Sequence, residues 1–436
     1  MTSPSADFVG FLRSSAPYIH AHRGRTFVVV FGGEAMASKG IRALVHDVAL
    51  LMSLGVRVVL VAGARPQIDA RLALRGIEPR FEGGVRVTDA AAMACAKEAS
   101  GTHRVELEAL FSTALPNSPM EGSRVRVATG NYLTAKPFGV IEGVDYQFTG
   151  RVRRVDHEAI RRHLDAGQLV LLTPIGYSAT GEAFNLATPE VASAAATALS
   201  ADKLICLIEG RRLVSKGGAI KGELGLADAE QLLAKQKKSA AATARDLAAA
   251  VDAVRGGVRR AHIVPRRIEG GLLRELYTRD GVGTLVSAER FEGMREARLS
   301  DVPSILALIE PLAEAGQLVR RPKEMLEEHV DRFTVVERDG MIVACVAVYL
   351  YRPQRTAEIA CVAVHPSYRS TGRAATLVEY AERRAREDGM RSVFVLTTQA
   401  EHFFREQGYE PSSEKKLPSG KTIDPRRLSK VFVKAL

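Results

Sequence analysis

The sequence predicts an α/β protein of two domains: an open, mainly parallel sheet with helices on both faces, followed by a smaller α/β unit. Three observations carry this. The chain has 436 residues, more than one ordinary core encloses. Up to about residue 286, runs of Val, Ile and Leu alternate with helical patterns, the rhythm of strands buried on both faces. Near Arg295 that rhythm gives way to a hairpin and a shorter set of elements. The expected domains are 1–286 and 295–436, with 287–294 as linker.

Composition narrows the function classes. Apolar residues make up 46% and charged residues 25%, which indicates a folded core and argues against disorder. The net charge of +11 fits polyanionic ligands, but Lys and Arg are spread along the chain, Trp is absent and no zinc-finger spacing occurs. No nucleic-acid partner and no metal are expected. Cys95, Cys206, Cys345 and Cys361 sit unpaired in apolar stretches, as reduced thiols of a cytoplasmic protein do. Met1–Gly10 contains Asp7 and no signal-peptide core, and no run approaches the ~18 to 20 apolar residues of a membrane helix.

In chain order, the residues before Thr26 read as a helix outside the sheet. Thr26–Phe31 is a strand ending at Gly32-Gly33, and Ile41, Leu44, Val45, Val48, Leu51 and Met52 share one helical face. Further strands read at 56–62, 124–128, 169–173, 203–208 and 261–264. The Ala-rich stretch 227–254 reads as one long helix ending at Gly256-Gly257. In the second domain Ser300 and Asp301 are placed to cap a helix carrying Ile305, Leu306, Leu308 and Ile309. Asp339-Gly340 between two apolar runs signals a hairpin. Strands follow at 358–364, 391–397 and 430–434, with a helix over 374–388.

The most informative segment runs from Cys361 to Ala374: a strand leaves the core, the chain turns, and a helix begins at Gly372. Uncommitted N–H groups of a first helical turn, with the positive end of the helix dipole, form an anion site. Glycine there lets a ligand approach the backbone. Taken alone, such a turn is common. Glu358, in the apolar run Ala357–Val364, is different, because a carboxylate there costs stability unless it is paired or useful. It is a candidate general base. Thr397 or Thr398, at the end of the next strand, offers a hydroxyl. Cys361, three residues after Glu358, should face the opposite side of an extended strand and pack as a small buried hydrophobe.

Arg369-x-x-Gly372-x-Ala374 after a strand resembles the pyrophosphate-binding signature of GNAT-fold acetyltransferases. The segment His402-Phe403-Phe404-Arg405-Glu406-Gln407-Gly408-Tyr409 and the opening Arg295–Asp301 match the same pattern. Nearly the whole chain resembles the bacterial N-acetylglutamate synthases. Segments such as His22-Arg23-Gly24, Gly63-Ala64-Arg65-Pro66-Gln67, Arg86-Val87-Thr88-Asp89, Gly281-Val282-Gly283-Thr284 and Leu318–Arg321 carry the likeness. The resemblance implies an amino-acid-kinase-like N-terminal domain joined to a GNAT-type α/β acetyltransferase domain. It implies acetyl transfer from acetyl-CoA to L-glutamate at the start of arginine biosynthesis.

The site residues follow from the same resemblance. It makes Glu358 and Thr397 catalytic. It places the acetyl-CoA contacts at Cys361, Val362, Val364, Arg369, Ser370, Thr371, Gly372, Arg373 and Ala374. Glutamate carboxylates fall to Arg321, Arg427 and Ser429, a sensible pairing because Arg binds carboxylates bidentately. L-arginine would inhibit through the first domain, near Tyr18, Lys203, Glu269, Gly271 and Gly283, and the protein would form a homo-oligomer, a hexamer.

Kinase chemistry is not expected from the first domain. Related kinases carry Lys where Val30 stands, a longer Gly run than Gly63-Ala64-Arg65, and an Asp that Asn185–Pro189 lacks. Phosphoryl transfer depends on such charges. Competing readings are an acetyltransferase of lysine or another small amine with an amino-acid-sensing domain, a purely regulatory arginine-binding protein, and an active kinase. Arg321 and Arg427, the Arg369–Ala374 turn with Glu358, and Val30 oppose these in turn.

Overall fold

The structure is a computed structural model and describes residues 4–113, 120–210, 214–215, 218–219, 222–236, 242–278, 281–288, 292–338, 341–369, 372–423 and 427–436. The chain forms two compact units, Met1–Glu289 and Arg290–Leu436. No described helix is long and apolar enough to cross a membrane.

In the first unit, helix α1 (Pro4–His22) precedes β1 (Thr26–Phe31), α2 (Ile41–Ser53), β2 (Arg57–Ala62), α3 (Arg65–Leu74) and α4 (Ala90–Phe111). There follow β3 (Val127–Ala128), α5 (His157–Asp165), β4 (Leu169–Leu172), α6 (Thr188–Leu199), β5 (Lys203–Ile208) and β6 (Glu223–Gly225). Then come α7 (Leu226–Gln236), α8 (Ala242–Arg255), β7 (Arg260–Pro265), α9 (Gly271–Tyr277) and β8 (Thr284–Ser287). These strands form one sheet in the order β6-β8-β7-β5-β1-β2-β4-β3. All pairings are parallel except β7 with β8.

The alternation within β1 explains why its run is continuously apolar. Val28 and Val30 enter a core shared with α5, α6 and α8. Phe27, Val29 and Phe31 enter a second core shared with α2, α4 and α9. Both faces are covered, so the strand is apolar at every position from Phe27 to Phe31. A smaller four-stranded sheet, Leu133–Pro137, Gly150–Val155, Ile175–Tyr177 and Ala183–Asn185, extends the unit.

One expectation fails here. The Ala-rich stretch 227–254 is described as two helices, α7 and α8, with 237–241 outside the described residues. A continuous helix would hold residues 25 positions apart roughly 37 Å from each other, yet Arg255 Nη2 lies 2.7 Å from Glu230 Oε1. The helices pack on each other because both carry apolar faces that one straight rod could not bury. The strand expected at 124–128 pairs only at Val127–Ala128.

The second unit runs β9 (Glu292–Glu296), α10 (Val302–Glu314), α11 (Lys323–Glu328), β10 (Phe333–Arg338), β11 (Met341–Tyr351) and β12 (Thr356–Val364). It continues with α12 (Arg373–Glu387), β13 (Ser392–Thr397), α13 (Glu401–Glu406), β14 (Glu410–Ser412) and β15 (Lys430–Ala435). The sheet order is β9-β10-β11-β12-β13-β15-β14, antiparallel except for β12 beside β13. α12 covers one face and α10 with α11 the other.

The expected linker is shorter than its composition suggests, since Ser287 ends β8 and β9 begins at Glu292. Asp339-Gly340, the expected hairpin turn, lies outside the described residues. Asp301 does not cap α10. Its carboxylate accepts from Arg298 N at 2.7 Å and pairs with Arg295 Nη1 at 2.7 Å, while Arg295 also reaches Glu337 at 2.6 Å. The stronger charged partner takes the carboxylate and ties β9 and β10 to the start of α10.

Candidate active site

β12 organises the site. Thr356, Ala357 and Glu358 pair in parallel with Ser392, Val393 and Phe394 of β13. Both strands continue beyond this point, β12 to Val364 and β13 to Thr397, without further pairing between them. The strands therefore diverge at Glu358 and open a cleft that exposes a backbone edge of β12.

A bulge accompanies the divergence. Cys345 registers with Ala363 and Ala347 with Ala360, so Cys361 and Val362 oppose the single residue Val346. Cys361 takes a left-handed φ of 55°. The extra residue reverses the side-chain alternation. Ala357 and Ile359 belong to the α12 core, but Cys361 and Ala363 belong to the α10 core. Cys361 thus shares a face with Glu358, contrary to the expectation from an unbulged strand. Arg321 Nη1 lies 3.1 Å from Cys361 Sγ, hydrogen-bonds the Tyr349 side chain and feels the Glu358 charge. Burial pushes the Cys361 thiol up, with Arg321 pulling the other way. It stays a protonated thiol near neutral pH and is a poor nucleophile.

Glu358 is 5% exposed, and its burial is offset by Lys421, whose Nζ lies 2.7 Å from both carboxylate oxygens. The Tyr351 hydroxyl is 3.5 Å from Oε2. At the end of β13, Thr397 Oγ1 accepts from Ala400 N at 2.9 Å and Gln399 N at 3.4 Å, fixing the entry to α13. Two accepted bonds leave the hydroxyl proton as a donor. Thr398 donates instead to the Gly316 carbonyl at 3.4 Å. Arg427 Nη2 donates to that same carbonyl at 3.2 Å. Arg321 Nη1 also reaches Val319 O at 3.3 Å, so both arginines touch the connection between α10 and α11. Ser429 is half-buried just before β15.

The turn after β12 has the expected form. Gly372 has φ 81° and stands at the head of α12, where it supplies no side chain to the first-turn N–H groups. Arg369 Nε donates to Val364 O at 3.4 Å. Arg373 Nη1 donates to Tyr368 O at 3.2 Å and lies over the Tyr368 ring. Val362, Val364 and Ala374 are half-buried; Ser370 and Thr371 lie outside the described residues. α13 brings Phe404 onto Tyr409, with ring centroids 5.5 Å apart.

In the first unit, Lys203 is buried with Nζ 3.3 Å from His262 Nε2, and His262 Nδ1 lies 2.7 Å from Glu275 Oε1. Glu275 Oε2 accepts from Val282 N and Gly283 N, each at 2.7 Å. Burial alone would raise Glu275, but His262 and these N–H groups hold it at about 2. Burial and Lys203 push His262 down, which suits a neutral ring donating from Nδ1 and accepting at Nε2. A Cβ on Gly283 would sit 2.6 Å from Ile263 O, so only glycine fits. Gly271 opens α9, where Cβ would meet Pro265 O at 3.2 Å, and Glu269 is exposed just before it. Tyr18 on α1 stands 6.5 Å from the His22 ring, which lies 5.5 Å from Tyr277 of α9. The expected regulatory residues therefore gather around α9. Sequence reasoning missed His262 and Glu275, and in the second unit Tyr349, Tyr351 and Lys421. None stands in a motif, and only the fold brings them together.

A separate cavity of about 790 Å³ opens at the C-terminal ends of β1, β2 and β5, lined by Val30, Gly33, Gly63, Arg65, Arg86 and Asp246 among others. Val30 is buried at its wall. Burial pushes Asp246 up to about 7.

Comparisons with known proteins agree with this division. Residues 25–265 match the amino acid kinase family and residues 302–409 the acetyltransferase (GNAT) family. The chain is 49% identical over 432 residues to an amino-acid acetyltransferase of Pseudomonas fluorescens (strain Pf0-1), covering 99% of this chain and 100% of that one. Among solved structures it resembles N-acetylglutamate synthase from Neisseria gonorrhoeae in complex with coenzyme A and L-arginine. That match has TM-score 0.88 and 35% identity over 98% of this chain and 99% of that one. The same enzyme with coenzyme A and N-acetyl-glutamate matches at TM-score 0.63, 35% identity and the same coverage.

Proposed function

The chain belongs to the amino-acid acetyltransferase (N-acetylglutamate synthase) family, and from that premise we propose that it acetylates the α-amino group of L-glutamate with acetyl-CoA, giving N-acetyl-L-glutamate and CoA. The observation that carries this is the divergence of β12 from β13 immediately beyond a buried, ionisable Glu358. A thioester placed between the strands meets the exposed backbone edge of β12, and its pyrophosphate reaches the head of α12 at Gly372. Glu358 takes a proton from the α-ammonium, because only the free amine attacks a carbonyl. The amine nitrogen bonds to the thioester carbon, the tetrahedral adduct expels CoA thiolate, and the Thr397 hydroxyl donates toward the leaving sulfur. Arg321 and Arg427, with Ser429, hold the two carboxylates. Val362 and Val364 belong to the cofactor edge, and Cys361 packs beside it as a neutral thiol.

The first unit serves regulation and assembly, binding L-arginine around α9 and supporting a homo-oligomer, hexameric by resemblance. The four free cysteines suit a cytoplasmic enzyme. Purified protein with acetyl-CoA and a panel of amino acids and lysine peptides should release thiol with L-glutamate and little with the others, and L-arginine should suppress it. Preference for a lysine peptide would favour the competing acetyltransferase reading. The same protein with ATP, magnesium and N-acetylglutamate should give no ADP above background, since Val30 offers the transferring phosphoryl group no charge. Protein-dependent ADP formation would restore kinase function to the cavity.

A further inference from the structure

In this structure Glu358 already holds a cation. Lys421 Nζ lies 2.7 Å from each of its oxygens, where an acceptor's ammonium must come to surrender a proton. The other groups facing Glu358 are Tyr351 and Tyr349 from β11, Cys361 from its own strand, and Arg321 from the connection after α10. Arg332 lies against the Tyr349 ring, and β13 presents only Phe394 opposite Glu358. Among the described residues, Lys421 is therefore the ion-pair partner of the carboxylate.

Two ammonium groups cannot share this carboxylate without strong repulsion, because the side chain of Glu358 is only 7% exposed and low polarity magnifies the interaction. We propose that Lys421 is a resident stand-in for the acceptor's ammonium: it holds the Glu358 carboxylate aimed into the cleft, and the incoming α-ammonium binds by displacing it. This rests on the reading of Glu358 as the base. Lys421 is a positioning residue, since it acts through Glu358 and leaves before chemistry.

The surroundings permit such an exchange. The Lys421 side chain is 23% exposed, so its ammonium has a path to water along a flexible stem. Its backbone is held: Lys421 N donates to Pro418 O at 3.1 Å, and Gln354 Nε2 donates to Ser419 Oγ at 2.6 Å. The ammonium can swing out while the segment stays in place. A compact lysine ammonium also matches an α-ammonium in charge and size, which a planar guanidinium does not.

An ion pair that must open first lowers the apparent affinity of the acceptor by the fraction of open sites. Lys421→Met should therefore lower the glutamate KM by about 3- to 10-fold and leave the acetyl-CoA KM unchanged. Lys421→Arg, which retains a cation, should keep the glutamate KM closer to wild type. An unchanged glutamate KM in Lys421→Met would overturn the proposal. So would a rise of both KM values with a lower Tm, which marks a merely structural lysine. Should Glu358→Gln remain active, the base reading itself fails; if that variant is inactive while Lys421→Met behaves as wild type, only the stand-in role fails.

Discussion

Glu358→Gln is expected to lower kcat by ~10²- to 10⁴-fold, the usual worth of a positioned general base. The amide preserves the side-chain volume in a site that is 5% exposed, so packing is retained while the basic oxygen is lost. Lys421 then loses its charged partner, but its partly exposed ammonium regains water, which limits the damage to the fold. Acetyl-CoA affinity by isothermal titration and Tm should stay close to wild type. A variant that keeps more than a tenth of kcat, with both controls intact, would remove Glu358 from the chemistry.

Arg427→Ala should raise the glutamate KM far more than the acetyl-CoA KM. A charged hydrogen bond is worth about 1.5–3 kcal/mol, which corresponds to an increase on the order of ten- to a hundredfold. In this structure the guanidinium rests on the Gly316 carbonyl at 3.2 Å, an acceptor that a substrate carboxylate outcompetes because the charged bond is the stronger one. Gly316 is exposed to solvent, so its carbonyl is satisfied by water when Arg427 is absent. Initial rates with each substrate varied in turn check the split. Equal rises in both KM values, or none, would place Arg427 outside the glutamate site.

What the sequence made legible was what periodicity and motif chemistry encode. The strands at 26–31 and 56–62 could be read as doubly buried because two cores demand apolar residues at every position of 27–31 and 58–62. The turn into α12 was visible in Arg369, Gly372 and Ala374, since positive φ at Gly372 needs glycine. The bulge at Cys361 was not visible. Ala360-Cys361-Val362 carries no glycine to mark a left-handed residue, and one extra residue reverses every side chain after it. The pairing of Glu358 with Lys421 spans 63 residues and ends in an irregular segment, so no local pattern announces it. The split of the Ala-rich stretch was hidden because Ala favours helix at every position and periodicity does not record where the chain reverses. The catalytic and substrate roles came from resemblance, and Arg321 was placed beside Cys361 and Tyr349 only by the fold.

Direct transfer of acetyl from CoA to the amine in one ternary complex is the expected route, although the bulge puts Cys361 on the same face as Glu358. The thiol is 4% exposed and pushed up by burial, so it should not carry an acetyl group, and Cys361→Ala should keep most of kcat. Initial-rate measurement with acetyl-CoA varied at several fixed glutamate concentrations tests this most directly. The lines should intersect, and mass spectrometry of enzyme incubated with acetyl-CoA alone should find Cys361 unmodified. Parallel lines with an acetylated Cys361 peptide would establish a covalent relay and contradict direct transfer.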